Sequence, residues 1–240
     1  MKKQDFLKVI SNNLIAKNIF KMCLVCGCDL EFIPGQFLNI KIDGFYLRRP
    51  MSICDFENGI ITIVYKIVGK GTEALSKISK GNKLDVIFPL GNGFDIKKSY
   101  DNITIIGGGV GLAPLYFLFK TLKKMNKKVI VYAGFRTLSE IFFEEEFSSI
   151  GEFIISTQDG TKGNKGLIID ILDKDCDYYF TCGPALMMES VRKILGQNGQ
   201  FLLEERMACG FGACMSCVCK TKFGAKRVCK EGPVFFANEF

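Results

Sequence analysis

The chain has 240 residues, with 32 Lys and Arg against 25 Asp and Glu, 48% hydrophobic residues, 11 Cys, and neither His nor Trp. That length suits one or two domains plus a small appendage, with enough chain for a real core. The absence of His excludes Ser-His-Asp catalysis, His-ligated zinc or haem, and any imidazole acid or base, so chemistry must rest on cysteine, carboxylate, amine or a bound cofactor.

The net charge of +7 divides as +6 over residues 1–99, −1 over 100–200 and +2 over 201–240. The basic residues of the first segment are scattered without a Lys/Arg block, which disfavours nucleic acid and favours an anionic cofactor or an acidic partner. Cys209, Cys214, Cys217, Cys219 and Cys229 crowd together near the end. That clustering is unlike a secreted disulfide framework and suits metal or redox use in a reducing cytoplasm. Polar residues interrupt Met1 to Phe20 throughout, so no export leader is expected.

In chain order, the first hundred residues alternate apolar and polar positions in short runs, as in Phe37-Leu38-Asn39-Ile40-Lys41-Ile42 and Ile60-Ile61-Thr62-Ile63-Val64-Tyr65. Turns at Pro34-Gly35, Asp43-Gly44, Asn58-Gly59 and Lys80-Gly81-Asn82 separate them. The pattern predicts an antiparallel β-barrel over 1–99, with one helix from Glu73 to Ser79.

From Asp101 the rhythm becomes strand then helix: Ile103–Ile106, a Gly-rich turn, Leu112–Met125, Val129–Ala133, Phe153–Ser156, Tyr178–Thr181 and Ala185–Leu195. That predicts a parallel-sheet α/β domain over 100–200. Asn102 to Phe119 is uncharged over 18 residues, the lower edge for a membrane span. Gly107, Gly108, Gly109, Gly111 and Pro114 would break a spanning helix, so the same residues read as strand, turn and helix, and no membrane association is expected. Residues 201–240 show little periodicity, which predicts a small domain organised by a bound metal or cluster.

Several segments carry candidate chemistry. Cys23, Cys26 and Cys28 have metal-like spacing but lie in a strand-like stretch with no second pair, and read as small buried thiols. Cys54 and Cys176 have no identifiable partner. In Arg48-Arg49-Pro50-Met51-Ser52, an arginine with a hydroxyl three residues later can hold a phosphate and hydrogen-bond a flavin ring. Downstream, Val64-Tyr65-Lys66 leads to Gly71 and Thr72, whose N–H groups could meet a pyrophosphate at a helix start. Gly107-Gly108-Gly109-Val110-Gly111-Leu112-Ala113-Pro114 is a phosphate-cradling turn, although Leu112 breaks the usual dinucleotide fingerprint. Thr181-Cys182-Gly183-Pro184 makes a second turn at the same sheet edge. Arg136 could meet a 2′-phosphate and Glu140 would resist one, and the choice falls on NAD by resemblance alone. No catalytic side chain is assigned.

Cys209, Cys214 and Cys217 form C-x4-C-x2-C, with Cys229 following. This is plant-type spacing for a 2Fe–2S cluster, in which small residues such as Gly210, Gly212 and Ala213 let backbone N–H groups turn toward the sulfurs. The alternative is a zinc held by four cysteines, whose ligands more often come as two C-x2-C pairs. Cys219 is read as a packed thiol.

Pro34-Gly35-Gln36-Phe37, Arg49-Pro50-Met51-Ser52, Gly107–Pro114 and Cys182-Gly183-Pro184 together resemble the ferredoxin–NADP reductase superfamily, in its order. The tail, from Glu205-Arg206-Met207-Ala208-Cys209 to Cys229-Lys230-Glu231-Gly232-Pro233-Val234-Phe235, is similar to that of electron-transfer subunits of class B dihydroorotate dehydrogenase. The resemblance implies an FAD-binding barrel (1–99), an NAD-binding α/β domain (100–200) and a 2Fe–2S domain (201–240). It also implies a cytoplasmic heterotetramer, two copies each of this chain and an FMN-containing catalytic subunit, serving pyrimidine biosynthesis. Carried over, Arg49, Pro50, Met51, Ser52, Val64, Tyr65, Lys66, Gly71 and Thr72 contact FAD. Gly107, Gly108, Gly109, Val110, Gly111, Cys182, Gly183 and Pro184 serve NAD, and Cys209, Cys214, Cys217 and Cys229 hold the cluster. Met51 departs from the superfamily, where an aromatic residue often precedes the serine.

A hydride carries two electrons and a cluster passes one at a time, so a flavin must stand between them. The expected relay runs from dihydroorotate to FMN in the partner, then to the cluster, FAD and NAD. Two other readings stand beside it: a sister reductase subunit of an NAD(P)H-dependent ferredoxin oxidoreductase, sulfite reductase or hydrogenase, and a zinc-stabilised binding module without redox cofactors.

Overall fold

The computed structural model describes residues 2–27, 31–96 and 100–240. Its first sheet is antiparallel, with strands β1 (Lys3–Ala16), β2 (Ile19–Val25), β3 (Phe37–Ile40), β4 (Arg49–Ser52), β5 (Asp55–Glu57), β6 (Ile60–Lys66) and β7 (Lys83–Leu90) in the order β4-β3-β7-β1-β2-β6-β5. β1 is bulged near Val9 and near Leu14, and such bulges sharpen a sheet's curl. The curl brings β4 back against β6, and the barrel interior fills with Leu7, Met22, Leu38, Ile40, Ile63 and Phe88. The single helix of this unit, α1 (Lys70–Ser76), begins three residues before the Glu73 read from sequence. The Thr72 hydroxyl explains the early start: it accepts from the N–H groups of Val68 and Gly69 and donates to the Gly69 carbonyl, closing the first turn.

The second sheet has the order β11-β10-β9-β8-β12-β13-β16. Its members are β8 (Asn102–Gly108), β9 (Lys128–Phe135), β10 (Glu152–Thr157), β11 (Asn164–Lys165), β12 (Tyr178–Cys182), β13 (Gly199–Leu202) and β16 (Val234–Phe236). All pairs are parallel except β13 with β16. The uncharged stretch from Asn102 becomes β8, a short 3-10 turn (Gly109–Leu112) and α2 (Ala113–Lys124). Pro114 sits in the first turn of α2, where its missing N–H costs nothing, and Asn126 takes the left-handed conformation just past the end. α2 and α3 (Glu144–Ser148) cover one face of the sheet and α4 (Ala185–Leu195) the other. Among the described residues no helix is long and apolar enough to cross a membrane.

The tail forms a hairpin of β14 (Val218–Thr221) and β15 (Gly224–Arg227) before returning as β16. Sequence periodicity gave no sign of either. The tail also changes β3: the alternation at Phe37–Ile42 suggests a half-buried strand, yet all four residues of β3 are buried. Leu38 and Ile40 face the barrel core, whereas Phe37 packs among Leu90, Cys217, Val228, Cys229 and Phe235. Cys23 lies in β2 with its sulfur 3.7 Å from the Thr62 hydroxyl, whereas Cys26 is buried but disulfide-bonded, not the thiol expected from sequence. Cys28, grouped with them above, lies outside the described residues. Cys54 is buried and Cys176 half-buried.

Among the described residues, Lys66 and Lys120 join the barrel to the second sheet's unit through ion pairs, Lys120 reaching Glu57 as well as Asp55. Lys66 Nζ lies 2.7 Å from Glu140 Oε1, and Lys120 Nζ on α2 lies 2.7 Å from Asp55 Oδ2. Both are largely shielded from water. Glu140→Gln should therefore destabilise the chain by about 1–2 kcal/mol, between the values for exposed and fully buried pairs, as read by urea denaturation.

Candidate functional site

Where β4 and β6 come together with α1, they leave a cleft of about 870 Å³, within the range of about 300–1,000 Å³ usual for cofactor pockets. All nine barrel residues selected from sequence line it: Arg49–Ser52, Val64–Lys66, Gly71 and Thr72. Their roles differ. Arg48 donates to the Asp85 carboxylate at 2.8 Å and to the Asp85 carbonyl, fastening β7, while Arg49 lies over the Phe45 ring and above Gly71. A Cβ at Gly71 would stand 2.3 Å from Arg49 Nε, so the glycine makes room for the guanidinium. Arg49 and the first-turn N–H groups of α1, which lack intrahelical acceptors, give the cleft a set of hydrogen-bond donors. Tyr65 lines the cleft, but its hydroxyl donates to Asn12 Oδ1 at 2.9 Å, and burial pushes its pKa up to about 12. The Lys66 ammonium is engaged by Glu140.

The two sheet-edge turns meet. Gly107 of β8 pairs with Cys182 of β12, at the point where successive strands diverge to opposite sides, the usual crevice for a nucleotide in such sheets. A Cβ at Gly108 would lie 2.7 Å from Pro184 Cδ, and one at Gly111 would lie 2.6 Å from the Cys182 carbonyl oxygen. These glycines let the turns pack on each other. Gly109, at φ +52°, instead faces open space, and Val110 and Pro114 reach the cleft. Gly111→Ala must force backbone apart, so a loss of about 1–3 kcal/mol in stability, with weakened NADH binding, is expected from thermal melts and titration. Cys182 is fully buried. Burial, then the nearby Glu204 carboxylate, pushes its thiol well above the usual range, so it remains a neutral thiol. Arg136 directly follows β9, and Glu140 is turned to Lys66 rather than left free to repel a 2′-phosphate.

The cysteine loop forms two thiol pairs, Cys209 with Cys214 and Cys217 with Cys229, and among the described residues no three Cys, Asp or Glu side chains gather as they would around a single metal ion. Backbone N–H groups aim at the sulfurs: Ala213 donates to Cys209 Sγ at 3.3 Å, Cys209 to Cys214 Sγ at 3.5 Å and Cys229 to Cys217 Sγ at 3.4 Å. Gly210 and Gly212 have φ of +78° and +93°, which lets the loop turn inward. Two irons, each needing two thiolates, fit this pairing. The Ser216 hydroxyl, foremost, brings the exposed Cys214 thiol down to about 6, whereas burial pushes Cys229 up to about 12. Arg227 clips the loop by donating to the Gly212 carbonyl at 2.6 Å while its Nε holds Glu231 at 3.0 Å. Cys219, on β14, is half-buried against the same apolar cluster as Cys217.

Further lining residues of the cleft were not assigned from sequence, among them Phe45 with Leu47, and Leu202–Met207 with Pro233. The second group continues directly into Cys209. Glu204 is exposed on the cleft wall, and partial desolvation of its carboxyl by the surrounding protein raises it above the ordinary value. Glu205-Arg206-Met207 and Pro233 belong to the tail motif, but nothing local marks any of these positions as a cleft wall, because the cleft exists only once tail and barrel meet.

Residues 204–240 match the iron–sulfur cluster binding domain of dihydroorotate dehydrogenase B. The chain is 42% identical to the electron transfer subunit of dihydroorotate dehydrogenase B (NAD(+)) of Fusobacterium nucleatum, covering 100% of this chain and 98% of the relative. The corresponding subunit of Clostridium acetobutylicum is 40% identical, covering 97% and 95%. The chain belongs to this family of electron-transfer subunits. Among solved structures, an NADH-dependent reduced ferredoxin-NADP oxidoreductase studied for flavin-based electron bifurcation superposes with a TM-score of 0.88 at 29% identity, covering 98% of this chain and 89% of the other. Phthalate dioxygenase reductase shares the fold, with a TM-score of 0.69 at 23% identity, over 82% of this chain and 67% of the other.

Proposed function

We propose that this chain is the NAD-linked electron-transfer subunit of a dihydroorotate dehydrogenase, taking electrons from an FMN-containing catalytic partner and delivering them to NAD+. The observation that carries the reading is one cleft walled by all three units. Its walls come from the barrel, from Val110 and Pro114 of the nucleotide turn, and from Leu203–Met207, which end two residues before Cys209. A flavin held there would touch residues of the nucleotide turn and of the segment that leads into the cluster loop. The bound groups supply hydride exchange at NAD, one-electron exchange at the cluster and conversion between the two at FAD.

In this reading, Arg49, with Gly71 and Thr72 at the start of α1, holds the FAD diphosphate. Pro50, Met51, Ser52, Val64, Tyr65 and Lys66, which line the same cleft, would hold its ring. Gly107–Gly111 and Cys182–Pro184 hold NAD, with Gly109 presenting the open side of its turn. Cys209 and Cys214 take one iron, Cys217 and Cys229 the other. The units are residues 1–99, 100–200 and 201–240, the last sharing β16 with the nucleotide sheet. The assembly is a cytoplasmic heterotetramer of two subunits of each kind.

The test is reconstitution. The chain and its FMN-containing partner together should reduce NAD+ with dihydroorotate, neither should do so alone, and mass photometry should give two of each. Dihydroorotate-dependent NAD+ reduction by this chain alone, or stable assembly only with other iron–sulfur subunits, would contradict the proposal and favour a sister reductase role.

A further inference from the structure

Asn39 lies in the middle of β3 with none of its surface exposed. On one side its backbone pairs with Pro50 of β4, within the segment assigned to the flavin. On the other its amide Nδ2 donates to the carbonyl of Cys209 at 3.2 Å. The fit is tight: a Cβ on Gly210 would come within 2.5 Å of that nitrogen. Its second polar atom, Oδ1, is buried with no hydrogen-bond partner among the described residues. A leucine of similar size would fill the site without a stranded acceptor, so packing does not account for an asparagine here.

We infer that Asn39 is the positioning residue that fixes the first cysteine of the cluster loop against the flavin strand, and thereby sets electron exchange between flavin and cluster. The inference rests on the assignment of Cys209 as a cluster ligand and of β4 as the flavin strand. β3 is suited to the task because its edge pairs with β4 while the face carrying Phe37 and Asn39 meets the cluster loop. Phe37, two residues earlier on the same face, already packs against Cys217 and Cys229. Asn39 adds the directional contact that an apolar face lacks. Electron exchange over a protein gap depends on separation, so a loosened loop slows it even where both groups are bound.

The test compares the holo chain with Asn39→Leu, which keeps volume and removes the donor, and with Asn39→Ser, a milder change that serves if the leucine variant does not accumulate. FAD content, iron content and flavin reduction by NADH are measured first, and should match the unaltered chain. Hydrogen–deuterium exchange across residues 208–217 should then be faster, and cluster reduction following flavin reduction slower by about tenfold in Asn39→Leu, with a changed EPR line shape of the reduced cluster. Asn39→Ser should fall between.

Loaded variants with unchanged loop exchange and an unchanged flavin-to-cluster rate would overturn the inference and leave the relay intact. So would variants that lose iron and thermal stability while their loaded fraction transfers at the normal rate, since that marks a purely structural role. A failure of the unaltered chain to reduce its cluster through the flavin would overturn the relay itself, and the inference with it.

Discussion

Cys214→Ser is expected to abolish cluster binding while leaving the flavin in place. Cys214 is exposed, so the substitution removes a thiolate without opening a cavity, and its pairing with Cys209 is lost. An iron site with three thiolates and a weakly basic hydroxyl does not retain its inorganic core as four thiolates do. Iron content should fall from two per chain toward zero, and electron delivery beyond the flavin should fall by more than about 100-fold. NADH reduction of a dye that accepts electrons directly from FAD should change by less than about twofold, because nothing at Cys214 lines the cleft. Cys219→Ser is the control. Its sulfur lies outside the two thiol pairs, and the variant should keep both iron and transfer. Loss of iron there with retention in Cys214→Ser would reverse the ligand assignment.

Arg49→Ala should release FAD. A charge-assisted hydrogen bond contributes about 1.5–3 kcal/mol, so the dissociation constant should rise about 10–150-fold, measured by flavin fluorescence on dilution. The neighbouring arginine gives a contrast that sequence adjacency alone would not suggest. Arg48 is committed to Asp85, so Arg48→Ala should lower stability and spare FAD affinity. The Arg48 guanidinium holds the Asp85 carboxyl below its usual value. A depressed carboxylate contributes stability above its unfolded value and loses it as pH falls through the folded one. The stability difference between the unaltered chain and Arg48→Ala should accordingly be full at neutral pH and shrink under acid. An FAD affinity equally reduced by both substitutions would contradict the division of labour.

The parts legible in the sequence are those whose physics is local. The strand, glycine turn and helix from Asn102 to Lys124 could be read because phosphate-cradling turns need small residues at fixed offsets. The cysteine loop could be read because three thiolates from one short segment require that spacing. What stayed hidden depends on residues far apart in the chain. Asn39 and Cys209 are 170 residues apart, and nothing near Asn39 announces a partner. The burial of all of β3, the strand that the tail adds beside β13, and the wall at Leu203–Met207 all arise when the tail folds across the barrel. Glu140 shows how a local reading misses such a partner: beside Arg136 it suggests repulsion of a 2′-phosphate, whereas its carboxylate reaches Lys66, on a strand of the other sheet. The start of α1 was misplaced for a smaller reason, since the side chain of Thr72 reaches backward to organise residues that carry no helical signal themselves.

The measurement that tests the central claim most directly is rapid anaerobic mixing of NADH with the holo chain and with the same chain stripped of FAD but retaining its cluster, followed by absorption and EPR. The account predicts that the holo chain reduces its flavin first and its cluster afterwards, and that the cluster of the flavin-free chain stays oxidised until FAD is restored. Cluster reduction at the same rate without FAD, or a reduced flavin that never passes an electron to an oxidised cluster of higher potential, would contradict it.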